Sequence, residues 1–314
     1  MGLCQGARGD HLTASAEDAE WAFSAYEAVR HRLPSVEFPR SAKRVETLGD
    51  LVPQFEVFLL DAFGVLNVGE SAIPGALDRI EALRNAGKHV VVVSNAASYP
   101  KRILLDRYKR LGFTFSAEDV FTSREVLLTA MRTRAPRRLG LMLPDAYGLE
   151  EMEHLDAVFL ADDPAVYDDV EEILLIGSGE WTERRQSMLE ESLIRNPRPV
   201  LVGNPDIVAP RETGLSREPG HYAHRLADVI GLAPEFYGKP FANIFEFVLA
   251  RLPEPIKRSR MIMVGDTLQT DILGGRAAGL TTALITNFGS LAALDPAAAA
   301  KRSGIVPDFI LPEP

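Results

Sequence analysis

The chain has 314 residues and a formal net charge of −10, with a quarter of the residues charged and 46% hydrophobic. That length predicts about two domains, and the composition is that of a globular protein with ample apolar material for a core. The acidic balance argues against a nucleic-acid partner or an anionic membrane surface, both of which need basic residues, and it obliges any anionic substrate to find local positive charge.

At the start of the chain, Cys4 is the only cysteine, so no intramolecular disulfide can form, which fits a reducing compartment. The opening "MGLCQGARGDH" lacks the apolar stretch of a signal peptide. Gly6 stands where a myristoylation signal beginning at Gly2 needs Ser or Thr. No later run approaches the length of a membrane span, and a cytoplasmic location is the expectation. "SAEDAEWAFSAYEAVRHRLP" then reads as an amphipathic helix. Ser15 or the acids after it would cap it, Ala22, Tyr26, Val29 and Leu33 share one face, and Pro34 stops it. Packing on the main body is the favoured use of that face, and a homodimer contact is the second.

Four short, β-branched runs follow, each placed before or after a helical pattern: Glu56–Leu60, His89–Val93, Arg260–Val264 and Thr281–Ile285. This alternation predicts an α/β fold, a doubly wound parallel sheet of Rossmann-like type covered on both faces. Between the second and third runs, "LGLMLP", "AVFLA", "EILLIG" and "PVLVGNPD" predict further strands, with a helix near Trp181–Arg195. Because core-type strands return afterwards, these form an inserted α/β cap. The predicted boundaries are an N-terminal helical extension over 1–50, a core over 51–130 and 236–314, and a cap over 131–235. "LAALDPAAAA" reads as a surface helix.

In such sheets ligands bind beyond the C-terminal strand ends. Polar residues stand at three of those ends: Asp61; Ser94 and Asn95; Asp266 and Thr267. Each alone has an ordinary explanation as a turn former or helix cap. Three together, from distant strands, point to a site.

The segments "DAFGVL", "IPGA", "SNAAS", "VGNPD", "YGKP" and "GDTLQTD" resemble, in order and spacing from about Leu51 to Gly289, the haloacid dehalogenase superfamily of hydrolases. The branch most similar is class IIA, with its 4-nitrophenyl-phosphatase-like and pyridoxal-phosphatase-like members. The resemblance implies a phosphohydrolase acting on a small phosphorylated substrate. Asp61 is the implied nucleophile, able to form an aspartyl-phosphate that water later hydrolyses. Mg²⁺, which prefers oxygen ligands, would be held by Asp61, Asp266 and the backbone oxygen of Phe63. Asp271 and Thr267 would support the metal from behind; a carboxylate near a helix start is also favourable for its own sake. Ser94 and Asn95 are implied phosphate binders, and Lys239, the only lysine between Lys109 and Lys257, is the implied cation for the transferring group. From the cap, Arg211, Arg217, His221, Tyr222 and His224 are candidate substrate contacts, and exposed loop residues are the equal alternative for each.

One position departs from the pattern. Phosphatase members carry a second Asp two residues after the nucleophile, which protonates the leaving oxygen and then activates water. Here it is Phe63. General acid–base help is worth roughly 10²–10⁴-fold, so three readings stand. The first is a phosphohydrolase whose substrate needs little protonation, or which takes its proton from a cap residue such as His221 or His224. The second is a 2-haloacid-dehalogenase-like hydrolase in which Asp61 attacks carbon. The third is a phosphate-ligand-binding protein of the same fold. A phosphonatase mechanism needs a cap lysine, and there is none between Arg110 and Gly238.

Overall fold

The computed structural model describes residues 15–211, 214–252 and 255–314; the features at Gly2, Cys4 and Gly6 lie outside them. The first helix, α1 (Ala16–Ala28), is capped as its sequence implies: Ser15 Oγ accepts from Asp18 N at 3.1 Å and the Asp18 carboxylate accepts from Ser15 N at 3.3 Å, a reciprocal box that satisfies otherwise orphaned donors.

Strands β1 (Lys43–Arg44) and β2 (Val57–Leu60) are followed by a short hairpin, β3 (Asn67–Val68) and β4 (Ser71–Ala72), then by β5 (His89–Ser94) and β6 (Val120–Thr122). The insertion carries β7 (Leu139–Met142), β8 (Ala157–Phe159), β9 (Glu172–Leu175), β10 (Val200–Val202), the hairpin β11 (Val208–Arg211) and β12 (Gly214–Arg217), and β13 (Glu235–Phe236). The chain returns with β14 (Met261–Gly265), β15 (Thr281–Ile285) and β16 (Phe309–Leu311). The core sheet has the order β1-β16-β15-β14-β2-β5-β6 with every pair parallel. The cap sheet, β13-β10-β9-β7-β8, is also all parallel.

All-parallel sheets need both faces covered, and this explains the near-continuous apolar strands. In β2 every residue is buried, its side chains shared between two apolar clusters, one containing Phe58 and Leu60 and the other Val57 and Leu59. A third cluster lies at the seam between core and cap. It joins Ala22, Phe23, Tyr26 and Val29 of the N-terminal segment to Ile207 and Val208 of the insertion and to Leu268 and Ile272 of the core. The apolar face of α1 is therefore used within its own chain. Each such large side chain contributes about 1.5–3 kcal/mol when fully buried.

Two boundaries differ from those expected. Residues 43–44, expected in the extension, form the edge strand β1 against β16, and Leu48 is fully buried in the core. A two-residue strand carries too little periodicity to be seen in sequence. Phe236, expected in the core, pairs with Val202 in the cap sheet. The "LAALDPAAAA" helix runs from Pro296 to Ser303, is capped by Asp295, and buries Ala299 and Ala300. Among the described residues no helix is long and apolar enough to cross a membrane.

Candidate active site

Asp61 and Asp266 leave the ends of the adjacent strands β2 and β14, where the sheet order changes direction in sequence and loops splay apart. Gly64, the residue after Phe63, has φ +79°, a value that favours glycine, and a Cβ there would stand 2.6 Å from Asp266. The tight turn thus brings the second acid against the first loop. Gly265 does the same for Asp271: a side chain at 265 would meet that carboxylate at 2.1 Å. Asp271 sits in a π-helical turn, Leu268–Ile272, a widened turn frequent at functional sites, and its Oδ2 accepts from Thr267 N at 3.1 Å.

One oxygen from each of Asp61, Asp266 and Asp271 lies within 4.8 Å of the others. Lys239 Nζ is inserted among them, 2.6 Å from Asp61 Oδ1 and 2.7 Å from Asp271 Oδ1. Burial pushes the Asp61 carboxyl up to about 7, against the pull of Lys239 and with Asp271 adding to the rise. Burial, with Asp271 and Asp61 adding to it, holds Asp266 well above the carboxylate range, although Ser290 N donates to it at 2.9 Å and Lys239 pulls the other way. Burial works against the Lys239 ammonium too, but Asp271, Asp61 and Asp206 more than offset it. When all three carboxylates are ionised, as holding a cation requires, the one ammonium leaves an excess of about two negative charges. That deficit, on hard oxygen donors, fits a divalent cation of the Mg²⁺ type.

Ser94 ends β5, is 2% exposed, and accepts through Oγ from Ala96 N at 3.2 Å; a hydroxyl that accepts still has its proton to give. Asn95 is a correction. Its Nδ2 donates to Asp206 Oδ1 at 2.8 Å and to Lys239 O at 2.9 Å, and its Oδ1 accepts from Lys239 N at 2.7 Å. With both donors and the acceptor engaged, this amide holds the Lys239 loop and has no hydrogen left for a phosphate. Thr267 Oγ1 lies 3.1 Å from Ser290 Oγ.

A cleft of about 620 Å³, counting its open mouth, lies over these groups. Its walls include Asp61, Phe63, Ser94 and Asp266 from the core, Asn204, Asp206 and Arg211 from the insertion, and Tyr26 from α1. It continues into a second hollow lined by Tyr99, Tyr147, Arg211, Arg217 and Tyr222. Arg211, Arg217 and Tyr222 are thus on the cavity side of the cap, with Arg211 tied to Glu218 at 2.8 Å. His224 and His221 are corrections: neither lines either hollow. His224 is 4% exposed and stacked on Phe236 at 4.9 Å, and burial pushes it down to about 4. His221 turns toward Trp21, 5.9 Å between rings, and burial lowers it as well. The helix carrying both, Pro219–Ile230, brings Tyr222 to the second hollow but neither histidine.

The Phe63 ring has two guanidiniums over it, Arg107 of the core at 4.7 Å and Arg211 of the cap at 5.5 Å, distances at which cations are drawn to aromatic faces. Tyr26, Asn204 and Asp206 are among the wall residues that sequence reasoning missed as site residues. The quoted "VGNPD" contains Asp206, but no local pattern assigns it a partner, and Tyr26 carries only the helical period.

Residues 58–157 match the model of a family described as haloacid dehalogenase-like hydrolase, and residues 236–311 match a second, HAD-hydrolase-like model. Chronophin of Rattus norvegicus is 31% identical over 279 residues, covering 85% of this chain and 88% of that one. Glycerol-3-phosphate phosphatase of Homo sapiens is 30% identical over 307 residues, covering 86% and 91%. A structure from Cytophaga hutchinsonii, titled a "possible sugar phosphatase" of the HAD superfamily, superposes with a TM-score of 0.76 at 26% identity, covering 87% and 98%.

Proposed function

The chain belongs to the haloacid dehalogenase-like hydrolases, in the class IIA phosphatase branch, and on that premise we propose that it is a divalent-cation-dependent phosphohydrolase acting on a small phosphorylated metabolite through Asp61. The observation that carries this reading is the set of three carboxylate oxygens within 4.8 Å around a buried lysine at the strand ends. Asp61 and Asp266 would hold the cation, with the backbone oxygen of Phe63, and Asp271 and Thr267 would support it. When bound, Mg²⁺ would neutralise carboxylate and phosphate oxygens that otherwise repel one another.

Asp61 Oδ1 takes both the Ala62 N–H, at 2.7 Å, and the Lys239 ammonium. Oδ2 is left to attack phosphorus. The new bond is the Asp61 carboxyl–phosphorus bond, and the bond that breaks is the ester P–O, whose electron pair leaves with the alcohol oxygen. Lys239 and the Ser94 hydroxyl steady the equatorial oxygens as charge spreads over them. Water then attacks the phosphoaspartate, releasing phosphate and restoring Asp61. Phe63 cannot protonate the leaving oxygen, and the cap histidines stand away from the cleft. The reading therefore favours leaving groups that need little protonation, such as aryl and acyl phosphates.

The test is hydrolysis of 4-nitrophenyl phosphate and of 2-chloropropionate, each with Mg²⁺ and with EDTA. Metal-dependent phosphate release that vanishes in Asp61→Asn supports the proposal. EDTA-insensitive halide release would establish the dehalogenase reading in its place. Inactivity on both, extended over a broad phosphate panel, would favour a binding protein.

A further inference from the structure

Helix α1 lies across the seam between cap and core and is fastened to both. On the core side, Gln269 Nε2, inside the π-helical turn, donates to Glu27 Oε1 at 2.8 Å, and Arg302 pairs with Glu20 at 2.5 Å while its guanidinium lies 4.3 Å from the Phe23 ring. On the cap side, Arg32 just beyond the helix pairs with Asp228 at 2.5 Å, and Arg217 sits 5.4 Å from the Trp21 ring. Between these fastenings Tyr26, 3% exposed, reaches the wall of the catalytic cleft. Its hydroxyl oxygen accepts from Ile207 N at 3.1 Å.

Ile207 follows Asp206. A continuous series of contacts runs from there to the reacting carboxylate. Asp206 Oδ1 accepts from Asn95 Nδ2 (2.8 Å), Asn95 Oδ1 accepts from Lys239 N (2.7 Å), and Lys239 Nζ meets Asp61 (2.6 Å). The backbone of 204–208 bears directly on this line. A side chain at Gly238 would stand 2.5 Å from Asn95 Oδ1 and 2.8 Å from Pro205, so the segment has no slack through which a displacement could be lost.

We propose that Tyr26 is a positioning residue for the phosphoryl-transfer site, and that α1 acts as a clasp holding residues 204–208 down on Asn95 so that Lys239 is aimed at Asp61. The N-terminal segment is then a working part of the active site. This rests on the phosphohydrolase reading above, and the test separates the two.

Full-length wild type and Tyr26→Phe are compared on 4-nitrophenyl phosphate in excess Mg²⁺, well below either melting temperature. Losing one buried neutral hydrogen bond translates into a kcat lowered roughly 3- to 10-fold with KM nearly unchanged. Glu20→Gln, which loosens only the outer end of the clasp, leaves kcat near that of wild type. Because Tyr26 acts through Asp206, Tyr26→Phe added to Asp206→Ala lowers kcat by much less than the product of the single effects. A Tyr26→Phe enzyme with wild-type kcat, or effects that multiply in the double variant, would overturn the proposal. If wild type hydrolyses no phosphate ester, the phosphohydrolase reading fails by itself, and the same comparison is made on the Kd of inorganic phosphate by calorimetry. Weaker phosphate binding in Tyr26→Phe then sustains the positioning role, and equal binding removes it.

Discussion

Lys239→Met is the sharpest test of the charge arrangement. Lys239 is 1% exposed and its partners Asp61 and Asp271 are 14% and 0% exposed. Methionine preserves most of the volume, so packing is little changed, but two carboxylates lose the only cation in contact with them among the described residues. Removing one partner of a buried ion pair costs about 3–5 kcal/mol, because the remaining charge is left uncompensated. At about 2–4 °C per kcal/mol for a chain of this size, the melting temperature in EDTA falls by roughly 10 °C. The loss shrinks as pH is lowered from 7 toward 5, because a carboxyl can then take up a proton and shed the buried charge. It also shrinks in millimolar Mg²⁺, because a cation restores the balance. Turnover stays low in both cases, since the fixed charge facing the phosphate is gone; loss of such a group typically lowers kcat by about 10²–10³-fold. Differential scanning fluorimetry at pH 5 and 7.5, with EDTA and with Mg²⁺, reads all of these. A Lys239→Met protein that melts within about 2 °C of wild type in EDTA at pH 7.5 would refute the claim that this cluster is short of positive charge.

Wild type itself has an unusual pH dependence to check. Asp61 is pushed up to about 7 and Asp206 to about 8, each mainly by burial. The folded state binds protons more tightly than the unfolded state, so stability falls as pH rises from about 4 toward 8; melting curves in EDTA should show this slope, and Mg²⁺ should flatten it. Phe63→Asp should give little or no rise in turnover on substrates with poor leaving groups. The new carboxylate would face Arg107 and Arg211 and stay ionised, and a gain of 10²-fold or more, in the range of general acid catalysis, would show that it does not. His224→Ala should lower thermal stability by a few °C through lost packing and leave the shape of the pH–rate profile between pH 5 and 8 unchanged, since a histidine at about 4 is neutral across that range.

Much of the core site was legible because its residues follow apolar strands directly. Asp61, Ser94 and Asp266 are marked by where the hydrophobic run stops, and parallel pairing brings those stops to one edge. Asn95 was not legible in the same way. Its partners Asp206 and Lys239 are far along the chain, and only folding shows that its amide is fully occupied. The cap histidines failed for a different reason. Residues 221, 222 and 224 lie within one turn of a helix, and sequence alone does not say which arc of that turn faces the cleft. For Tyr26 the helical period correctly marked a buried face but carried no information about what that face is buried against.

The strand order also bears on how the enzyme is made. The first strand of the core sheet, β1, pairs with the last, β16, and the nucleophile's strand β2 lies against β14, beyond the whole insertion. A nascent chain leaving the ribosome therefore carries Asp61 long before it has Lys239, Asp266 or Asp271. The cap sheet, whose strands are contiguous in sequence, can close earlier as a unit. During synthesis the β2 edge must wait unpaired on one side, where aggregation competes with folding. Truncation from the C-terminus should remove the edge-closing strands first and abolish catalytic competence well before the cap loses its fold.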